Sequence, residues 1–113
     1  MSDHDWVKGF PAAITVCDPQ GTILEMNDAA REVFRADGGE KLLGSNVLEC
    51  HPERARRILE EMLANQRANV YTIEKNGRKK MIYQSPWYKD GQYAGFVELS
   101  LVIPAEVPHF IRS

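Results

Sequence analysis

Gly44-Ser45-Asn46-Val47-Leu48-Glu49-Cys50-His51-Pro52, running on into Glu53-Arg54-Ala55-Arg56-Arg57-Ile58-Leu59-Glu60-Glu61-Met62-Leu63, is the stretch on which the fold turns. At a first helical position a proline loses only an amide that has no intrahelical partner, so the order of residues predicts a helix opening at Pro52 with His51 as its cap. Ala55, Ile58, Leu59, Met62 and Leu63 recur at three-and-four spacing and predict one buried stripe, with Ile58, Leu59 and Met62 packed against a sheet. Around the rest of the helix Glu53 and Arg57, Arg56 and Glu60, and Arg57 and Glu61 stand at pairing distance, which neutralises what would otherwise be a basic patch. The turn ahead of the helix gathers Asn46, Cys50 and His51 beside apolar neighbours. Ligand sites combine an apolar lining with a few placed polar groups, so this turn is the first candidate for one.

Outward on both sides the hydrophobic period changes to two. Toward the N-terminus, Ala13-Ile14-Thr15-Val16-Cys17 and Thr22-Ile23-Leu24-Glu25-Met26 flank the turn Asp18-Pro19-Gln20-Gly21. This is a hairpin in which alternation puts Leu24 and Met26 on one face and Glu25 on the other. Asn27 or Asp28 then caps a short helix through Ala29, Ala30, Val33 and Phe34, ended by Asp37-Gly38-Gly39. Toward the C-terminus, Val70 to Glu74 and Met81 to Ser85 surround Asn76-Gly77, the strongest short hairpin signal. After Asp90-Gly91, Tyr93 to Val102 is the last and longest strand, with Val97, Leu99 and Leu101 on one face and Glu98 and Ser100 on the other. A hairpin, small helices, one longer helix and three more strands make an α+β fold, an antiparallel sheet with the helices packed on one face. Three segments are expected: an N-terminal cap over 1–11, the domain over 12–103, and a C-terminal tail over 104–113. In the first, Trp6, Val7 and Phe10 share an apolar face that serves either as a lid on the domain or as a dimer contact.

A chain of 113 residues fits one domain with a real core. Its 14 basic and 16 acidic side chains leave a net charge of -2, which supplies no field to attract nucleic acid or an anionic membrane. Every apolar run falls well short of the roughly 20 residues that span a bilayer, and no charged-then-apolar leader opens the sequence, so a soluble, cytoplasmic protein is expected. Cys17 and Cys50 match no paired-cysteine motif and are read as reduced thiols. A phosphate-cradling glycine loop, a Ser-His-Asp pattern and a metal-ligand cluster are all missing from the sequence, and the expectation is a protein that is not an enzyme.

The order of elements, the Asn27-x-Ala29-Ala30 junction and the Asp90-Gly91 turn before a Gly95-containing strand resemble the PAS sensory domain over about residues 10–103. Gly44-x-Asn46-Val47-Leu48-x-Cys50-His51-Pro52 is similar to the corresponding segment of a bacterial PAS subgroup associated with hemerythrin-like proteins. The resemblance implies a five-stranded antiparallel sheet of order 2-1-5-4-3 and a cavity between sheet and helices. It also implies a non-catalytic signalling role, homodimerisation, and an output domain or partner outside this chain.

The candidate ligand- or cofactor-binding residues are Asn46, Cys50 and His51 on the turn, Met62 on the helix stripe, and Tyr83 of the second hairpin, whose aromatic group with Trp87, Tyr88 and Tyr93 is otherwise ordinary core and sheet surface. The cofactor itself is not named by the sequence. Haem would take His51 as its axial metal ligand, since neutral imidazole is a natural iron donor, and it would be non-covalent because the Cys-x-x-Cys-His signal is absent. Light-sensing flavin PAS domains resemble Gly-x-Asn-Cys at this turn, where the chain reads Gly44-Ser45-Asn46-Val47, and a valine forms no flavin adduct. Cys50 is either a redox-responsive thiol near a helix start or an inert buried one. Three functions follow: a small-molecule-binding signalling module, a haem-dependent gas or redox sensor using His51, and a ligand-free interaction or dimerisation domain.

Overall fold

The chain runs α1 (Asp5–Lys8), β1 (Ala13–Cys17), β2 (Ile23–Met26), α2 (Asp28–Val33), short 3₁₀ turns at Arg35–Asp37, Gly39–Leu42 and Val47–Cys50, α3 (Glu53–Asn65), β3 (Asn69–Lys75), β4 (Arg78–Lys89) and β5 (Gln92–Ile103). The computed structural model describes residues 5–50 and 52–113, with the backbone alone at Cys50. The strands form one antiparallel sheet in the order β2-β1-β5-β4-β3. The strands β1, β5 and β4 each pair on two sides, with the long β5 at the centre and β2 and β3 at the edges. The turn residues act as their chemistry requires: Asn76 and Gly77 both take positive φ, and so do Asp90 and Gly91, the backbone geometry of tight hairpin turns.

Asn27 ties the first half together. It is buried, and its Oδ1 accepts from the amides of Ile14 (2.9 Å) and Ala30 (3.0 Å), capping α2 while pinning β1. Its Nδ2 donates to the carbonyls of Val7 (3.0 Å), Phe10 (3.3 Å) and Ala12 (2.8 Å), so the same side chain holds the segment after α1 against the sheet. Gly95 plays the equivalent part at the other end. Its φ of +133° and the close passage of the Cys17–Asp18 backbone leave no room for a Cβ, which would overlap the Cys17 carbonyl oxygen. The Trp87 indole donates to that same oxygen at 3.1 Å, next to a register shift between Trp87 and Tyr88.

The structure departs from simple alternation in β2. Leu24 is exposed while Ile23 and Met26 are buried, because the β1–β2 register passes from Val16↔Glu25 directly to Cys17↔Ile23. Leu24 is the extra residue of a bulge, which reverses the phase of the side chains on either side of it. At α3 the helix begins one residue later than the sequence suggests: Pro52 holds the cap position, its carbonyl accepting from Arg56 at 2.9 Å, and the cap lacks a side-chain hydrogen bond. His51, the predicted cap, lies outside the described residues. Only part of the predicted stripe is buried. Met62 is 2% exposed, Leu59 and Leu63 are half-buried, and Ile58 at 50% faces solvent rather than the sheet. Met62 packs with Cys17 and Phe96, where the C-terminal half of α3 meets the sheet.

Candidate functional site

Strand parity decides what faces the helices. On β5 the inward residues are Phe96, Glu98 and Ser100, Leu99 beside Ile14 turns to the other side of the sheet, and Val97 borders spaces on both faces. The face turned toward the helices therefore carries a polar stripe, and it runs straight across four strands: Thr15 pairs with Glu98, Glu98 with Gln84, and Gln84 with Asn69. From Asn69 to Glu98 the stripe is hydrogen-bonded. Asn69 Nδ2 donates to Gln84 Oε1 at 3.2 Å, and Gln84 Nε2 donates to Glu98 Oε1 at 2.9 Å.

Between this face and α2 with the turns that follow it lies a cavity of about 590 Å³. Ile23, Met26, Phe34, Leu42, Val47 and Ile82 supply most of its apolar wall, and Thr15, Tyr71, Glu98 and Ser100 supply the polar groups. Asp37, Lys75 and Lys80 also line it. A smaller chamber of about 80 Å³ beneath α3 shares Thr15, Val47 and Glu98 with it and adds Cys17, Leu59, Met62, Leu63, Gln84 and Phe96. Glu98 thus stands where the two spaces meet. Burial pushes the Cys17 thiol up from its ordinary range, and the carboxylates of Asp18 and Glu98 push the same way against a hydrogen bond with the Phe96 backbone. Burial also raises the Tyr71 phenol, with the Glu98 charge adding to it. Tyr93 donates its hydroxyl to the Leu63 carbonyl at 2.9 Å and meets Phe96 edge-on at 6.5 Å, which fastens the end of α3 to β5.

The residues singled out from sequence fall in different places. Met62 lines the smaller chamber. Asn46 is a structural clasp on the turn: its Nδ2 donates to the Gln20 carbonyl at 2.8 Å, its Oδ1 accepts from the Leu48 amide at 2.8 Å, and its backbone bridges Thr22. Its neighbour Val47, not Asn46 itself, reaches both chambers. Tyr83 stands on the outer face, because Ile82 and Gln84 on either side of it line the cavities. There it shares a cross-strand row with Leu99, Ile14 and Val70. The Cys50 side chain and His51 are outside the described residues. Among the described residues no group of three or more histidine, cysteine, aspartate or glutamate side chains is placed to hold a metal ion. Thr15, Tyr71, Gln84, Glu98 and Ser100 were not picked out from the sequence. The available signal was a polar stripe at one strand parity, Asn69, Gln84 and Glu98, alternating with apolar neighbours that the usual inside-outside rule assigns to the core.

The fold is similar to several solved domains at low identity. The PAS domain of BvgS from Bordetella pertussis superimposes with a TM-score of 0.63 at 23% identity, covering 87% of this chain and 81% of that one. The Aer2 receptor from Vibrio cholerae, described as a dual PAS-heme oxygen sensor, gives 0.62 at 17% identity over 87% of this chain and 99% of that one. A sensory box sensor histidine kinase from the same organism gives 0.61 at 15% identity, over 88% and 86%. No curated protein matches the sequence. The family model for the PAS fold matches residues 7–106, from the end of α1 to just past β5, and the chain accordingly belongs to the PAS fold family.

Proposed function

We propose that this chain is a non-catalytic sensory module that holds a small molecule between its sheet and its helices and passes the occupied state to a partner copy or an output domain. The observation that carries the reading is the cavity of about 590 Å³. That volume lies within the range of small-molecule sites, and its wall has their composition, mostly apolar with a few converging polar groups. The sensory role draws on family membership and on the sensor proteins whose domains share the fold. Passage of the signal is assigned to the outer face and α1, where Trp6 is 69% exposed and borders a groove with Ile14, Val16 and Val97. A cytoplasmic setting fits the buried free thiol of Cys17.

The Aer2 receptor is a PAS-heme oxygen sensor, and His51 is the residue of this chain that would ligate haem iron. Cys17, the thiol lining the smaller chamber, is held protonated by burial and is a poor donor. The experiment is an absorbance spectrum and native mass spectrometry on protein purified from cells. The proposal expects a non-covalent mass above that of the polypeptide, lost on denaturation. A Soret band that disappears in His51→Ala would move the assignment to haem, and a bare polypeptide mass would favour an interaction domain that works without ligand.

A further inference from the structure

The polar stripe on the cavity wall says what kind of molecule it suits. Glu98 is half-buried in the polar stripe, and its side chain accepts from the neutral amide of Gln84 at 2.9 Å. The Asn69 contact at 3.2 Å fixes which way that amide points, so Gln84 presents its NH₂ to Glu98 and Glu98 is set as an acceptor. None of the ion pairs among the described residues includes Glu98; they join Arg31 to Asp28, Arg35 to Glu32, Arg57 to Glu53, and Arg67 to Glu61. The basic residues on the same cavity are Lys80, which pairs across strands with Val102, and Lys75 beyond it. Lys80 therefore stands two cross-strand rows from Glu98, with the row of Ser100, Ile82 and Tyr71 between them. A carboxylate that accepts from one neutral amide keeps further acceptor positions open to the cavity, and a cationic donor fills them most strongly. The Tyr71 ring borders the same space and offers a π face to a positive nitrogen.

We infer that the cavity takes an organic cation, a protonated amine on an apolar body, with its nitrogen on Glu98 and its body along Tyr71, Ile82 and Phe34. This rests on the reading of the cavity as a binding site and adds the charge of the ligand. Glu98 is the residue that sets specificity, and Ser100 marks where the body passes.

The test compares phenethylamine, phenethyl alcohol and phenylpropionate, which share a body and differ in charge, by calorimetric titration of the whole chain. Phenethylamine should bind tightest, by about tenfold or more over the alcohol, as a charge-assisted hydrogen bond requires. Glu98→Gln keeps the shape and can still accept from Gln84; it should weaken the amine far more than the alcohol and so abolish the preference. Ser100→Phe fills the cavity and should weaken all three. Equal binding of amine and alcohol, or an amine preference that survives in Glu98→Gln, overturns the ligand class while the cavity stands. So does tightest binding of the acid, which Lys80→Gln would then remove. No binding by any probe, or binding indifferent to Ser100→Phe, overturns the cavity reading and the class with it.

Discussion

Asn27 shows how much one side chain organises here, since both atoms of its amide are used and the five groups they touch belong to three different segments. Asn27→Asp keeps both acceptor bonds and removes the donors, which places a carboxylate against the carbonyls of Val7, Phe10 and Ala12. The expected loss is about 1–3 kcal/mol in urea titration, with faster amide exchange confined to the residues after α1. Asn27→Ala, which loses the α2 cap as well, should cost more. Cys17 makes a second prediction at this scale. Its folded pKa is raised chiefly by burial, so the unfolded chain gives up the thiol proton first as pH climbs past about 8.5. Stability from this group is constant below that point and falls as pH rises through the window between the unfolded and folded values. Melting temperatures followed upward from neutral pH should drop less steeply in Cys17→Ala than in the parent, whatever the offset at neutral pH.

Among the elements, α3 is where a stability measurement discriminates best. Met62 is sealed against Cys17 and Phe96, whereas Ile58 on the same predicted stripe faces solvent. Met62→Ala should cost about 2–5 kcal/mol and Ile58→Ala no more than about 0.5 kcal/mol. Equal effects would mean that α3 lies on the sheet along its whole length. The contrast also marks what the sequence could carry. Both hairpins and a cap at Asn27 or Asp28 were legible, because turn chemistry and period are local signals, whereas the strand order came with the family resemblance. The bulge at Leu24 was not, since it depends on register with β1. Nor was the inward stripe of Glu98 and Gln84 legible, since alternation tells which residues share a face but not which face meets the helices. The turn of Asn46 drew attention as a concentration of polar groups, and the Asn46 amide turns out to clasp Gln20 and Leu48.

At the scale of the whole molecule the sheet separates two activities. Its inner face builds the cavity; its outer face, with Ile14, Leu99, Tyr83 and Val70 in one row beside α1, is the surface proposed for a second copy. Light scattering at micromolar concentration should report a dimer, and Trp6→Glu should shift it toward monomer. A parent protein that stays monomeric as concentration rises would make Trp6 a lid residue only. The account as a whole rests on the inner face holding the ligand. The most direct measurement compares backbone amide NMR spectra of the protein as purified with those of the same protein stripped by denaturation and refolding. A ligand on the inner face predicts differences that alternate along the strands, at Thr15, Ile82, Glu98 and Ser100, with Val16 and Leu99 little changed. Superimposable spectra, or differences gathered on α1 and the outer face, would contradict it.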